Sequence, residues 1–447
     1  MAQLQKLSLG AGVMLLSTLA CGLLKPPTST QTPISATIEE PTLEPIQTLV
    51  PTDPPIPPPN PTETAVQLPT QLPTQPLVEK GVFQRITALP APLPDSYSEI
   101  QVGAPTDGTA WIITSQGAQR WDNMSWEAML SEEEGGLASV DDRGRLWALL
   151  LNTGEIAAWL NGDWTSYGEK SGWTEPPTAA EMGWWTLASW RAYTDSAGIV
   201  WLPTSRDVRL FDGEQWSLFT LEDMGFPLPE MEDLGVIHRL AMGGDGTETW
   251  VGECYYGGPG PMGGQGVRWF DGETWHGSDA PVDSTCVSTI TADPAGNVWL
   301  GAYDTIWRYG YADQSWTSTN LPEAFLDDFN FAYPRQLIVD GNGDAWVMME
   351  LCGGASCSGP VQVYRIHAGE WSLIREAPYW DLPLKHLAVD GSGQGWLFWD
   401  GEVYQLGEES LESAASIIAR GVGANPDGKL WVVAEEEGGA ALWMLQP

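Results

Sequence analysis

Asp293-Pro-Ala-Gly296-Asn-Val-Trp299-Leu-Gly301 is the stretch on which the reading of this 447-residue chain turns. Asp and Gly suit a tight turn for different reasons: Gly takes positive φ without a Cβ clash, and Asp bonds nearby backbone N–H groups. The Val-Trp-Leu run after them has strand chemistry. The phrase recurs from Asp141 through Gly144 to Trp147, Asp195 through Gly198 to Trp201, Asp340 through Gly343 to Trp346, and Asp390 through Gly393 to Trp396. Looser copies are Thr106-Asp-Gly108-Thr-Ala-Trp111, Asp245-Gly246-Thr-Glu-Thr-Trp250 and Pro426-Asp-Gly428-Lys-Leu-Trp431. The chain therefore holds eight turn-plus-strand units.

A second phrase follows, as in Leu210-Phe-Asp-Gly213-Glu-Gln-Trp216, Trp269-Phe-Asp-Gly272-Glu-Thr-Trp275 and Trp159-Leu-Asn-Gly162-Asp-Trp164. Asn-Gly and Asp-Gly between aromatic runs are hairpin signals, and each such turn delivers a Trp into the next strand. Every unit then has an inner strand ending at the Asp, a Trp strand, a third strand, and a fourth opened by its own Trp. Four antiparallel strands per unit, eight times over residues 80–447, is the arithmetic of an all-β, eight-bladed β-propeller. Seven blades is the alternative, with unit seven demoted, because Ser410 to Ile418 lacks a Trp and could be helical. The last unit lacks a fourth strand, while Val82 to Ala88 is an orphan strand upstream, so the N-terminal strand is expected to complete the last blade.

These repeats resemble the two-component-regulator propeller repeat, most closely in Asp293 to Trp299 with Trp307-Arg308-Tyr309, and in Arg209-Leu-Phe-Asp-Gly213 and Arg268-Trp-Phe-Asp-Gly272. The resemblance covers nearly all of residues 83–447. It implies a propeller of the kind found in extracytoplasmic sensor heads. No kinase or receiver segment accompanies the repeats, so the resemblance implies fold more than function.

Upstream, Lys6 precedes a 14-residue weakly polar to apolar stretch, Leu7 to Ala20. That is a secretory signal pattern, shorter than the roughly 20 residues a spanning helix needs. Thr18-Leu19-Ala20-Cys21-Gly22 resembles the lipobox of bacterial lipoproteins, which implies a signal peptide over 1–21 and lipidation of Cys21; ordinary cleavage before Cys21 is the alternative. The segment 22–79 follows as a disordered linker, with 15 Pro and 11 Thr between residues 26 and 78 and no aromatic residue. The chain is thus expected to be extracytoplasmic, tethered to a bacterial membrane by its lipid alone.

Removing Cys21 leaves four cysteines, suited to two disulfides outside the cytoplasm. Three pairings are open. Blade adjacency favours Cys254 with Cys286, which leaves Cys352 with Cys357 to close a small loop.

Spacing between anchor tryptophans places the long loops on one face of the ring. The added residues there carry the candidate ligand-binding aromatics Trp173, Trp184, Trp185, Trp190, Tyr255, Tyr256, Phe329, Tyr333 and Trp380, interspersed with carboxylates. Aromatic platforms beside carboxylates suit sugar rings; the structural alternative is that these rings pin long loops onto the blades.

Composition narrows the function further. With 20 basic against 59 acidic residues and a net charge of −39, the chain is a poor ligand for nucleic acid. Its four His residues show no metal-ligand spacing, and no catalytic residue, nucleophile elbow or phosphate loop stands out. No cofactor is expected, calcium between carboxylate loops being the one candidate. The expectation is a monomeric recognition head that takes a glycan, peptide or envelope partner on its looped face; the alternative is a secreted propeller hydrolase or lyase acting on carbohydrate.

Overall fold

The computed structural model describes residues 82–446, less a set of connecting segments of which 94–99, 175–191, 228–236, 354–358 and 379–384 are the longest. The signal segment 1–21 with Cys21, and the linker 22–79, lie outside the described residues.

Eight four-stranded antiparallel sheets make up the fold, and the first strands of successive sheets neighbour one another around the ring. Blade 5 is representative: Thr289–Ala292, Val298–Ala302, Thr305–Gly310 and Ser315–Asn320, in that spatial order. Blade 8 differs. Its strands Ile418–Ala424, Leu430–Glu436 and Gly439–Gln446 come from the C-terminal end, and Val82–Ala88 supplies the fourth, pairing antiparallel with Gly439–Gln446. Eight blades and closure by the N-terminal strand are both as the repeats predict. The helical option over 410–418 is not what forms. Glu412–Ser416 is a strand paired with Glu402–Gln405, because the outer edge of blade 7 offers a ladder that outweighs the helix propensity of Ser-Ala-Ala. The described residues contain no α-helix, and none of their helices is long and apolar enough to cross a membrane.

The core lies between blades. Seven of the eight anchor indoles are buried, and Trp299 is half-buried. An anchor seats against the hairpin aromatics of the next blade: Trp147 on Phe211 and Trp216, both at 5.5 Å; Trp201 on Phe270 at 5.5 Å; Trp250 on Trp316 at 5.8 Å. Such pairs contribute roughly 0.5–1.5 kcal/mol each beyond area burial. The second phrase thus exists to supply the partner ring for the first.

The same phrase explains its Asp. In five blades the carboxylate accepts the anchor indole N–H six residues on, at 2.9 Å for Trp147, 3.1 Å for Trp201 and Trp299, 3.0 Å for Trp346 and 2.8 Å for Trp396. Its other oxygen takes backbone N–H groups within the turn, such as those of Asn342 and Asp344. Blades that lack the Asp find other acceptors. Trp111 donates to the Gly144 carbonyl of blade 2 at 3.0 Å, and Trp250 to the Tyr311 hydroxyl at 2.9 Å. Adjacent turns also bond to each other, Gly341 N to Gly393 O at 2.7 Å and Gly391 N to Gly428 O at 2.8 Å, which ties blades 6 to 8 together on this face.

Blade 8 is the exception. Its turn begins at Asn425, whose Oδ1 takes the Lys429 N–H at 2.6 Å, and the buried Trp431 indole N–H has no hydrogen-bond partner among the described residues. An amide has one acceptor oxygen where a carboxylate has two, so the indole goes without. Asn425→Asp should therefore raise stability by about 1–2 kcal/mol by giving that donor an acceptor. Urea midpoints of the two proteins test this, and an unchanged or lower midpoint contradicts it.

Candidate functional site

Each first strand ends at its Asp turn, so it begins on the opposite, looped face, which its second strand also reaches. Blades 4 and 6 rise highest there. Thr249–Tyr256 and Ala345–Cys352 have eight residues against five in Val298–Ala302, about 10 Å of added height. The Cys254–Cys286 disulfide, with Cα atoms 4.4 Å apart, ties the raised strand of blade 4 to the entry of blade 5. Cys352 is disulfide-bonded as well, and its expected partner, Cys357, lies outside the described residues. Cys254, Cys286, Cys352 and Tyr333 pack into one buried cluster flanked by Tyr303 and Phe331.

Polar groups are buried beside this cluster. Glu253 is fully buried, and its Oε2 accepts the Gln265 N–H at 2.6 Å. Tyr303 sits in the blade 5 hairpin at φ 50°, a left-handed conformation that a bulky side chain seldom adopts. Burial pushes its phenol up to about 12, reinforced by Tyr255, Tyr333 and Glu253 nearby. In blade 6, Arg335 donates through Nε to Oε2 of Glu350 at 2.5 Å. Glu350 is 1% exposed, and burial pushes its carboxyl up despite the opposing effect of Arg335. Its Oε1 has no hydrogen-bond partner among the described residues.

Arg335 is the extra residue of a β-bulge: Pro334 pairs with Met349 and Gln336 with Met348. Arg420 is the extra residue of the corresponding bulge in blade 8, between Ala419 opposite Ala434 and Gly421 opposite Val433. It is bonded to Glu435. Bulges re-aim a side chain, and they cluster near sites. Between these two blades, blade 7 opens with Lys385 and His386, both buried, the Lys385 ammonium 4.5 Å from the Trp399 ring centre. Among the described residues no group of three or more His, Cys, Asp or Glu could hold a metal ion.

Of the aromatics expected to form a platform, Trp173 is in the core instead. It is 4% exposed, donates to the Gly154 carbonyl at 2.9 Å, and lies between the Arg209 guanidinium, 4.5 Å away, and Trp216, 5.0 Å away. In this position Trp173 packs as a core residue. Tyr333 is likewise buried, in the cystine cluster. Phe329 is half-buried against the blade 6 core, and Tyr255 is half-buried. Tyr256 lies on the raised strand of blade 4, its side chain outside the description. Trp184, Trp185, Trp190 and Trp380 lie outside the described residues.

Glu253, Glu350, Arg335, Lys385 and Arg420 were not singled out by sequence reasoning. A signal was present. Arg239, Arg335, Lys385 and Arg420 each stand eleven residues before an anchor Trp, at 250, 346, 396 and 431. Glu350 and Glu435 each stand four after one. Only residue-by-residue alignment of the units on their anchors brings this out.

No protein-family model matches the sequence, and no curated protein matches it. Among solved structures the chain is similar to the extracellular domain of a putative hybrid two-component system from B. thetaiotaomicron, at 13% identity and TM-score 0.43, over 80% of this chain and 39% of that one. It is similar to catalytically inactive virginiamycin B lyase from Staphylococcus aureus with quinupristin, at 16% identity and TM-score 0.43, over 71% and 97%. It is also similar to YCF48 bound to D1 peptide, at 9% identity and TM-score 0.40, over 81% and 98%. The chain spans about two fifths of the length of that extracellular domain. At these values the likeness is one of architecture, and no role is carried over from it.

Proposed function

We propose that this protein is an extracytoplasmic recognition module: a sensor-type propeller, lipid-anchored through Cys21 and held off a bacterial membrane by its Pro/Thr-rich linker, that binds a glycan, peptide or envelope partner on its looped face. The observation that carries this reading is the difference between the two faces. On one, short Asp turns bond to the anchor indoles and, in blades 6 to 8, to each other. On the other, raised strands gather buried carboxylates, tyrosines and basic residues under cystine cross-links. Buried polar groups cost stability unless they are held in place, and a protein keeps them most readily where they act. Trp184, Trp185, Trp190 and Trp380 lie outside the described residues; the repeat spacing expects them on this face, and under this reading they supply its stacking surface. The head works as a monomer and without a cofactor.

A carbohydrate hydrolase or lyase is the second reading, favoured by the two buried carboxylates Glu253 and Glu350. Glycan and peptide arrays probed with the full chain, followed by product analysis of each hit, separate the readings. A ligand that is bound and recovered unchanged is the expected result. Released product makes the protein an enzyme, and arrays without any hit overturn the recognition reading.

A further inference from the structure

We infer that the axial mouth of the looped face, over blades 4 and 6 to 8, receives the carboxylate of an acidic sugar, with Arg335 as the contacting group. The inference rests on the recognition reading and gives its ligand a chemical class.

The first observation is statistical and positional. Basic residues fill 20 of 447 positions, so chance would place fewer than one of them at any single repeat position across eight units. The position eleven before the anchor holds four: Arg239, Arg335, Lys385 and Arg420. Register puts that position at the looped end of the first strand. Arg239 lies opposite Cys254, Arg335 and Arg420 occupy their bulges, and Lys385 immediately precedes His386, which pairs with Phe398. First strands are the innermost of each blade, so the four residues lie along one arc of the ring's mouth. Blade 5, within the arc, has Ser288 at this position, its Oγ bonded to the Pro334 carbonyl of blade 6 at 2.7 Å.

The second observation is how these groups are held. Glu350 and Glu435, both four residues past the anchor, grip Arg335 and Arg420 from the second strand of the same blade. Lys385 is 7% exposed and Arg420 4%, whereas the Arg335 side chain is 44% exposed. Arg335 is thus the member of the tier open to a ligand. Lys385 and Arg420 lie beneath the surface and shape the potential there. Glu350 and Glu435 offset much of the charge of Arg335 and Arg420, so a carboxylate ligand would be held here by the exposed guanidinium and the nearby Lys385 rather than by a large net positive field, in a protein of net charge −39. A guanidinium fork matches a carboxylate in plane and spacing. Beside the arc, blades 4 and 5 contribute the half-buried rings of Tyr255 and Tyr303. Sugar rings stack on such faces, which favours an acidic sugar over an acidic peptide.

The test uses the full chain with oligogalacturonate and with the same oligomer fully methyl-esterified, titrated calorimetrically at two salt concentrations. The acid form should bind, and esterification should weaken it by about tenfold or more, the effect of losing a charged hydrogen-bond partner. Arg335→Ala should weaken binding of the acid form to a similar extent, and Arg335→Lys less so. Lys385→Met should lower both affinity and its salt dependence, a readout that loss of packing alone does not move. Circular dichroism and thermal melts establish that each variant is folded; should Arg335→Ala not fold, Arg335→Lys and Lys385→Met carry the comparison. Equal binding of acid and ester overturns the inference and leaves the recognition reading standing, as does undiminished binding by folded Arg335→Ala. Binding of an acidic peptide with no binding of either sugar form overturns the assignment to sugars.

Discussion

Deleting residues 82–88 should abolish the cooperative unfolding transition of the propeller and drive the chain to self-associate. That strand joins three blades. It pairs along Gly439–Gln446, from Val82 opposite Gln446 to Ala88 opposite Ala441. Phe83 is 8% exposed and meets Trp396 and Phe398 of blade 7 edge-on at 6.1 and 6.2 Å. The Ala88 carbonyl accepts the Trp126 indole N–H of blade 1 at 2.8 Å. Loss of the Phe83 ring alone is worth about 3 kcal/mol. Six ladder positions at roughly 0.5–1 kcal/mol each bring the total to about 6–9 kcal/mol. Domains of this kind have about 5–15 kcal/mol to lose. The deletion also bares the edge of Gly439–Gln446, and an open edge recruits another chain. Size-exclusion chromatography and urea unfolding read both effects. A synthetic peptide of residues 80–90 should restore the transition by adding the strand in trans. A deleted chain that stays monomeric with an unchanged midpoint would mean that the ring does not depend on this closure.

The ring was legible in the sequence because each blade repeats one physical solution. Turn, anchor indole and hairpin aromatic are local, and each leaves its own mark at fixed spacing. Even the N-terminal strand could be placed, since Lys429 to Leu445 runs out one strand short. Blade 7 misleads at 410–418 because nothing local distinguishes Glu412–Ser416 as a strand; the ladder offered by Glu402–Gln405 decides it. The site was less legible for a related reason. Trp173 reads as a ligand platform because it breaks the repeat, yet its ring is buried against Arg209 and Trp216. Composition says that an aromatic outside the pattern is there for something; only packing says for what. Conversely, Arg335 and Arg420 look ordinary in sequence, since a bulge that re-aims a residue leaves no compositional trace.

Asp293→Ala should cost about 3 kcal/mol at neutral pH, and that cost should shrink on acidification. The Asp293 carboxylate accepts four hydrogen bonds and stands near one guanidinium. Oδ1 accepts the Ala295 and Asn297 backbone N–H groups at 3.0 and 2.9 Å, and Oδ2 accepts the Asn297 amide at 2.7 Å and the Trp299 indole at 3.1 Å. Arg308 stands 3.8 Å from Oδ2. Alanine leaves these donors to find water or nothing, at about 1–3 kcal/mol for each that stays buried, and the partial exposure of Trp299 keeps the sum near the lower end. The pH dependence follows from which protonation state the turn prefers. Desolvation favours the neutral acid, but the donors outweigh it and hold the carboxyl below its usual range. A group whose pKa is lower in the folded protein contributes its stability above the unfolded value, about 3.9, and loses it as pH falls through the folded one. The gap between wild type and Asp293→Ala in urea midpoint should therefore be full at pH 7 and narrow below pH ~4. Asp293→Asn should fall between them and vary little with pH, since an amide keeps the Oδ1 contacts and offers no second acceptor, the arrangement blade 8 already has at Asn425. A gap that widens in acid would place the stabilising form as the neutral one and remove the carboxylate from the repeat's design.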